Sequence, residues 1–220
     1  MKAIIGVTRG GSIRGVVEVD KELRNNELQG RWCVYRNESG EDIAKVSCYK
    51  IDCIGCQDKK KIGEFVRFIN KNDLDKIRRI KEYEKNAERT CQSLVKRHLL
   101  PMKIVRTTLS FDEKKLTFYF TSEQRVDFRN LVKDLISRFR KMIRLQQVGP
   151  RDHARMINGV GICGRELCCA GFLDEVGKIG KESAAKQGVD VLGSEKISGA
   201  CGKLMCCLMY EIDSYNREKE

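Results

Sequence analysis

The spacing of apolar and polar positions changes period along the chain. In the N-terminal part, short apolar runs are cut by turn residues. "KAIIGV" and "SIRGVVEV" flank "TRGG", and "GRWCVY" and "IAKVSCYKI" flank "RNESGED". Such runs, bounded by Gly, Asn and Asp, predict strands joined by tight turns. "TRGG" lacks the lysine of a phosphate-binding loop and a following helix, so it reads as a hairpin turn.

From Asn72 the period lengthens. Leu74, Ile77, Ile80, Tyr83, Ala87, Cys91 and Leu94 recur every three or four residues, which predicts an amphipathic helix. Asn72 or Asp73 can cap its start, and Pro101 stops it. A hairpin follows: "MKIVRTTLSF", the turn "DEKK", then "LTFYFTS". A second amphipathic helix carries Phe128, Leu131, Val132, Leu135 and Phe139 on one face, with Arg129, Lys133, Arg138 and Arg140 mostly on the other. "MIRLQQVG" predicts a third strand, closed by Gly149 and Pro150. The predicted class is therefore α+β: a β-rich N-terminal part, then an antiparallel-dominated sheet with two amphipathic helices on one face.

Beyond that pattern the chain changes character. "ICGRELCC" places Cys163, Cys168 and Cys169 together, and "ACGKLMCC" repeats the arrangement with Cys201, Cys206 and Cys207. Both copies read Cys-Gly-basic-x-x-Cys-Cys, and both lie outside the apolar periodicity, which favours a site. Thiolates suit soft or borderline metals. Structural zinc usually takes C-x₂₋₄-C pairs, whereas adjacent thiols do not easily converge on one small ion. An iron–sulfur cluster is larger and accepts thiolates from less tightly wound segments. On that reading Gly161, Gly164, Gly199 and Gly202 let the backbone approach and donate N–H groups, and Arg165 and Lys203 offset the negative charge. Zinc, buried thiols acting as small hydrophobes, and a catalytic dithiol are the alternatives. The dithiol ranks lowest, because a vicinal disulfide is strained.

Eleven cysteines in a chain with no secretory h-region and no apolar run near the ~18 residues of a membrane span imply a reduced, cytoplasmic protein rather than a disulfide framework. Cys48, Cys53 and Cys56 form C-x₄-C-x₂-C, a ferredoxin-like spacing that Cys33 or Cys91 would have to complete; zinc or buried strand thiols fit as well. His98 ends a helix, where its charge suits the dipole. His153 has no recognisable acid or oxyanion-hole motif around it, so the chain reads as a non-enzyme. The net charge of +12 attracts RNA, DNA or an acidic protein. Without an RNP-type aromatic motif, weak and poorly selective RNA contact is expected.

"LPMKIVRTTLSFDEKKLTFYFTSEQRVDFRNLVKDL", "GPRDHARMINGVGICGRELCC" and "KISGACGKLMCCLMYE" together resemble the bacterial YaaT/RicT family, which carries a domain named after a yeast polymerase suppressor protein. The likeness begins near Gly63 and separates an N-terminal β-rich region, 1–62, from a family-type C-terminal domain, 63–220. It implies a non-catalytic cytoplasmic regulator that works with two small partner proteins in a complex carrying 4Fe–4S clusters. That complex acts with the membrane-associated endoribonuclease Y in mRNA maturation and influences sporulation, competence and biofilm formation. It also implies that Cys163, Cys168, Cys169, Cys201, Cys206 and Cys207 are the positions to examine for cluster binding. A nucleic-acid-binding module with structural cysteines, and a thiol redox sensor, are the competing functions.

Overall fold

The fold comes from a computed structural model that describes residues 3–9, 13–19, 30–38, 40–50, 61–173 and 176–217. It contains two compact units, Met1–Val148 and Gly149–Glu220.

The first unit begins with five strands: β1 (Ala3–Arg9), β2 (Ile13–Val19), β3 (Trp32–Asn37), β4 (Gly40–Lys50) and β5 (Lys61–Phe68). They close into a barrel in the order β1-β2-β5-β3-β4, with β1 paired back onto β4. Side chains two apart point the same way along a strand, so Val17 and Val19, Cys33 and Tyr35, and Ala44 and Val46 fill the interior with Phe65 and Phe68. Val34 faces outward from β3, yet it is also fully buried, against the helical layer. "CVY" is thus apolar without alternation because both of its faces are covered, while Trp32 before it is exposed. The turn at "TRGG" lies outside the described residues. Strand β5 was not apparent from the sequence. Its close approach to β3 is marked by Gly63, where a Cβ would stand 2.3 Å from the Arg36 carbonyl oxygen.

The predicted order then follows: α1 (Lys71–Arg97), β6 (Lys103–Leu109), β7 (Lys115–Thr121), α2 (Arg129–Phe139) and β8 (Met142–Gln147). Strands β6 and β7 are antiparallel and β7 and β8 parallel, so antiparallel pairing dominates the two sheets together. The cap of α1 is Asn70, not Asn72 or Asp73. Asn70 Oδ1 accepts from Asp73 N (2.9 Å) and Asp73 Oδ2 accepts from Asn70 N (2.8 Å), a reciprocal capping box. The same carboxylate accepts from both Arg67 Nη atoms, at 2.5 and 3.0 Å, tying the end of β5 to the helix start. Leu74 falls in this polar first turn and is 47% exposed, so the buried stripe starts later and runs through Ile80, Ala87, Cys91 and Leu94. Leu116, Phe118 and Phe120 of β7 meet Leu131 and Leu135 of α2 in the same core.

Cys33 and Cys91 are core residues. Burial pushes their thiols up to about 11 and about 12, which keeps both protonated and apolar. The Cys33 Sγ also donates to the Ala44 carbonyl (3.5 Å). Cys53 and Cys56 lie outside the described residues. His98 caps α1, and its Nε2 lies 2.8 Å from Asp134 Oδ2 of α2, so it joins the two helices.

Candidate metal centre

The second unit is built around the duplicated cysteine motif. It runs through α3 (Pro150–Ile157), α4 (Cys168–Gly171), α5 (Lys181–Lys186), a 3-10 turn at Asp190–Leu192, α6 (Cys207–Tyr210) and α7 (Ile212–Arg217). Pro150 at the first position of α3 suits a helix start, since that N–H needs no intrahelical partner.

Each motif copy folds into the same tight hairpin. In the first, Val160 bridges Glu166, Gly161 N donates to Arg165 O (2.8 Å), Gly164 N to Gly161 O (3.0 Å) and Leu167 N to Gly159 O (3.1 Å). In the second, Ser198 bridges Leu204, Gly199 N donates to Lys203 O (2.8 Å), Gly202 N to Gly199 O (2.9 Å) and Met205 N to Ile197 O (3.0 Å). The two patterns match bond for bond. The tips require Gly164 and Gly202, at φ +77° and +73°, because a Cβ is disfavoured there. One cysteine sits at each tip, and the adjacent pair follows where a one-turn helix begins.

The hairpins bring the two triplets together. All six motif cysteines line one pocket of about 90 Å³, with Ala154, Ile162, Leu167, Leu204 and Met205 among its apolar walls. Cys163 is exposed, Cys169 is buried, and the other four are half-buried. Burial raises the thiols of Cys169, Cys206 and Cys207 above the ordinary range. Among their further influences some cross between copies: Cys201 acts on Cys169, Cys168 and Cys169 on Cys206, and Cys168 on Cys207. Residues 38 apart in sequence thus share one electrostatic environment.

Two sequence-based expectations are corrected. The N–H groups of Gly161, Gly164, Gly199 and Gly202 are not directed at a ligand; they close the hairpins. Arg165 and Lys203 are exposed, and the cations that act on the thiols come instead from α3. Arg155 donates from Nε to the Cys169 carbonyl (2.5 Å) and from Nη2 to the Leu173 carbonyl (2.7 Å). Arg151, one helical turn earlier, donates from Nη2 to the Leu204 carbonyl in the other copy (3.1 Å). Arg151 also lowers both Cys169 and Cys206. Its Nε is buried with no hydrogen-bond partner among the described residues. A buried, charged N–H without an acceptor is costly.

Among the described residues no three His, Cys, Asp or Glu side chains form a group that could hold a metal ion. The thiols surround a cavity rather than converge on a point. That donor set is soft, apolar-walled and flanked by cations. Such soft donors suit a soft or borderline metal or a thiolate-bound cluster.

Residues 63–148 match the family described as the PSP1 C-terminal conserved region, and residues 179–220 match the PSP1-like protein third domain. The chain is 45% identical over 159 residues to the stage 0 sporulation protein YaaT of Bacillus subtilis, covering 72% of this chain and 58% of that protein. It is 46% identical over 44 residues to protein PSP1 of Saccharomyces cerevisiae, covering 20% of this chain and 5% of that protein. The chain therefore spans little more than half of the bacterial relative and a small fraction of the yeast one. No solved structure matches it. Among the described residues no helix is long and apolar enough to cross a membrane.

Proposed function

Because this chain belongs to the YaaT/PSP1 family, we propose that it is a non-catalytic, cytoplasmic regulatory subunit whose paired cysteine hairpins bind a 4Fe–4S cluster. In this reading it acts with small partner proteins on an RNA-processing endoribonuclease, endoribonuclease Y by the resemblance, during mRNA maturation. The observation that carries the cofactor is the placement of six thiols, three from each hairpin, around one pocket.

A bound cluster supplies negative charge and, where it is redox-active, an electron. The chain's own residues do the rest. The hairpins hold the thiols in two sets, Leu167, Leu204 and Met205 limit water, and the charge of Arg151 favours the thiolate forms of Cys169 and Cys206. The regulatory role rests on the family and on the name of the Bacillus relative. A redox-sensing thiol is less well supported. Such thiols need lowered pKa values and exposure, and burial raises Cys169, Cys206 and Cys207 instead.

The test is anaerobic purification of the full chain, alone and with its co-purifying partners, followed by iron, sulfide and zinc analysis. Iron and acid-labile sulfide are expected, and Cys168→Ser or Cys206→Ser should lower both sharply. Stoichiometric zinc without sulfide would replace the cluster with a structural metal.

A further inference from the structure

The first unit contains a second surface that the cysteine site does not use. The helices α1 and α2 cover one face of the β6-β7-β8 sheet, and the strand register fixes what stands on the other. Arg106, Tyr119 and Gln146 are paired across the three strands in one row, and Thr108, Thr117 and Arg144 form the next. Lys115 and Met142 are paired beyond them. The core side chains Leu116, Phe118 and Phe120 alternate with this set, which places Tyr119, Thr117, Gln146 and Arg144 on the face opposite the helices; Arg106 and Thr108, on the edge strand β6, also border Ile77, Lys81 and Glu84 of α1.

The chemistry of that face is specific. Among the described residues no side-chain hydrogen bond or ion pair holds Arg106, Arg144 or Tyr119. Asn37 of β3 and Gly40, Glu41 and Asp42 of β4 border this face at one end and enclose with it a pocket of about 120 Å³. Its lining is polar on every side, with Asn37, Asp42, Thr108, Thr117, Arg144 and Gln146 among the contributors and Tyr119 at its margin. Within it Gln146 offers an amide that both donates and accepts and Thr108 and Thr117 offer hydroxyls, whereas Asp42 already accepts from the Ile43 N–H and Glu41 from Arg36. The edge of a nucleobase asks for that mixture of donors and acceptors. An aromatic ring beside unpaired guanidinium groups is how a sheet surface holds a strand whose bases are splayed out. Paired, stacked bases cannot reach a recessed pocket of this kind.

We infer that the open β6-β7-β8 face binds single-stranded nucleic acid, with a base stacked on Tyr119, its edge in the polar pocket, and phosphates on Arg106 and Arg144. No contiguous aromatic motif announces this surface, because its residues come from three strands. It stands independently of the cluster, which belongs to the other unit.

The experiment is fluorescence anisotropy of the full chain with a labelled mixed-sequence 12-nucleotide RNA, the same sequence as DNA, and the RNA duplex. Single strands are expected to bind, and the duplex to bind more weakly. Tyr119→Ala should weaken binding about tenfold or more, and Tyr119→Phe should retain most of it. Arg144→Ala, at an exposed position, should reduce the log–log salt slope by about 0.7. Lys85→Ala on the exposed side of α1 should change little, and Cys206→Ser should bind as the wild type does, which separates this surface from the cluster. RNA favoured over DNA would assign the site to RNA, and equal affinity would assign it to single strands generally. The inference is overturned if the wild type does not bind, if the duplex binds equally well, or if Tyr119→Ala and Arg144→Ala leave affinity unchanged. Preferential binding of polyglutamate would also overturn it, by assigning the face to an acidic protein.

Discussion

Replacing Arg155 with methionine should open the first cysteine hairpin selectively. The guanidinium makes two charge-assisted bonds, to the carbonyls of Cys169 and Leu173, at opposite ends of α4. Bonds to charged groups contribute about 1.5–3 kcal/mol each, and the half-buried setting argues for the lower end, about 3 kcal/mol for the pair. Methionine preserves the apolar stem, so most of the loss comes from the two bonds. The unit has a modest core around Ala184, Ile197 and Leu208, and among the described residues no comparable cluster lies beneath the first hairpin. A loss of about 3 kcal/mol raises the open population on the order of 100-fold. Amide hydrogen exchange on reduced, metal-free protein reads this directly. The Gly161, Gly164 and Leu167 amides close the first hairpin and should exchange on the order of 100-fold faster. Those of Gly199, Gly202 and Met205, held through the second hairpin and Arg151, should change far less. Unchanged protection in the first hairpin, or equal loss in both, would refute the assignment of Arg155 as the clasp of the first copy.

Two further outcomes concern the first unit. Leu131→Ala, at a fully buried position, should cost about 2–5 kcal/mol and lower its Tm by several degrees in calorimetry; a loss under about 1 kcal/mol would mean the site collapses around the cavity. Asp73→Asn removes a carboxylate whose pKa is lowered first by its hydrogen bonds to Arg67, so its contribution is present above the unfolded value near 3.9 and lost as pH falls through the lower folded value. The Tm gap between wild type and Asp73→Asn should hold from neutral pH to about 5 and narrow below about 4; a gap independent of pH would show that the capping geometry and not the charge is responsible.

The parts legible in the sequence were those whose burial is one-sided and local. Helices α1 and α2 announce themselves through a three-to-four-residue period, and β6, β7 and β8 through short β-branched and aromatic runs between turn residues. Strand β5 was hidden because Lys61, Glu64 and Arg67 interrupt its apolar positions, and its place depends on a non-local contact, Gly63 against the Arg36 carbonyl. The helix cap fell two residues before its predicted place because Asp73 serves as the third helical position of a capping box, not as the cap. At the site, the repeated spacing showed both triplets but not their convergence, which depends on the intervening α5 and on the small core it shares with Ile197 and Leu208. Arg151 and Arg155 were missed although "PRDHAR" carries the signal. Two arginines four apart on a short helix lie on one face, and that face directly precedes the first copy.

The duplication extends past the cysteines. Phe172 and Tyr210 occupy equivalent positions after the two hairpins, and their rings pack edge to face with centroids 5.0 Å apart. Equivalent residues touch each other when two copies face across an approximate twofold axis, and the thiol influences that cross between copies fit the same arrangement. The surroundings break that symmetry. Cys169 is buried where its equivalent Cys207 is half-buried, and Cys163 is exposed where Cys201 is half-buried. Arg155 grips the first copy through two carbonyls, whereas Arg151 grips the second through one and keeps a buried Nε without a partner among the described residues. A symmetric backbone in an asymmetric environment gives chemically equivalent thiols unequal access to solvent. The pocket is therefore bordered by Ala154 of α3 on one side and approachable from the side of Cys163, where Ile162 is 70% exposed.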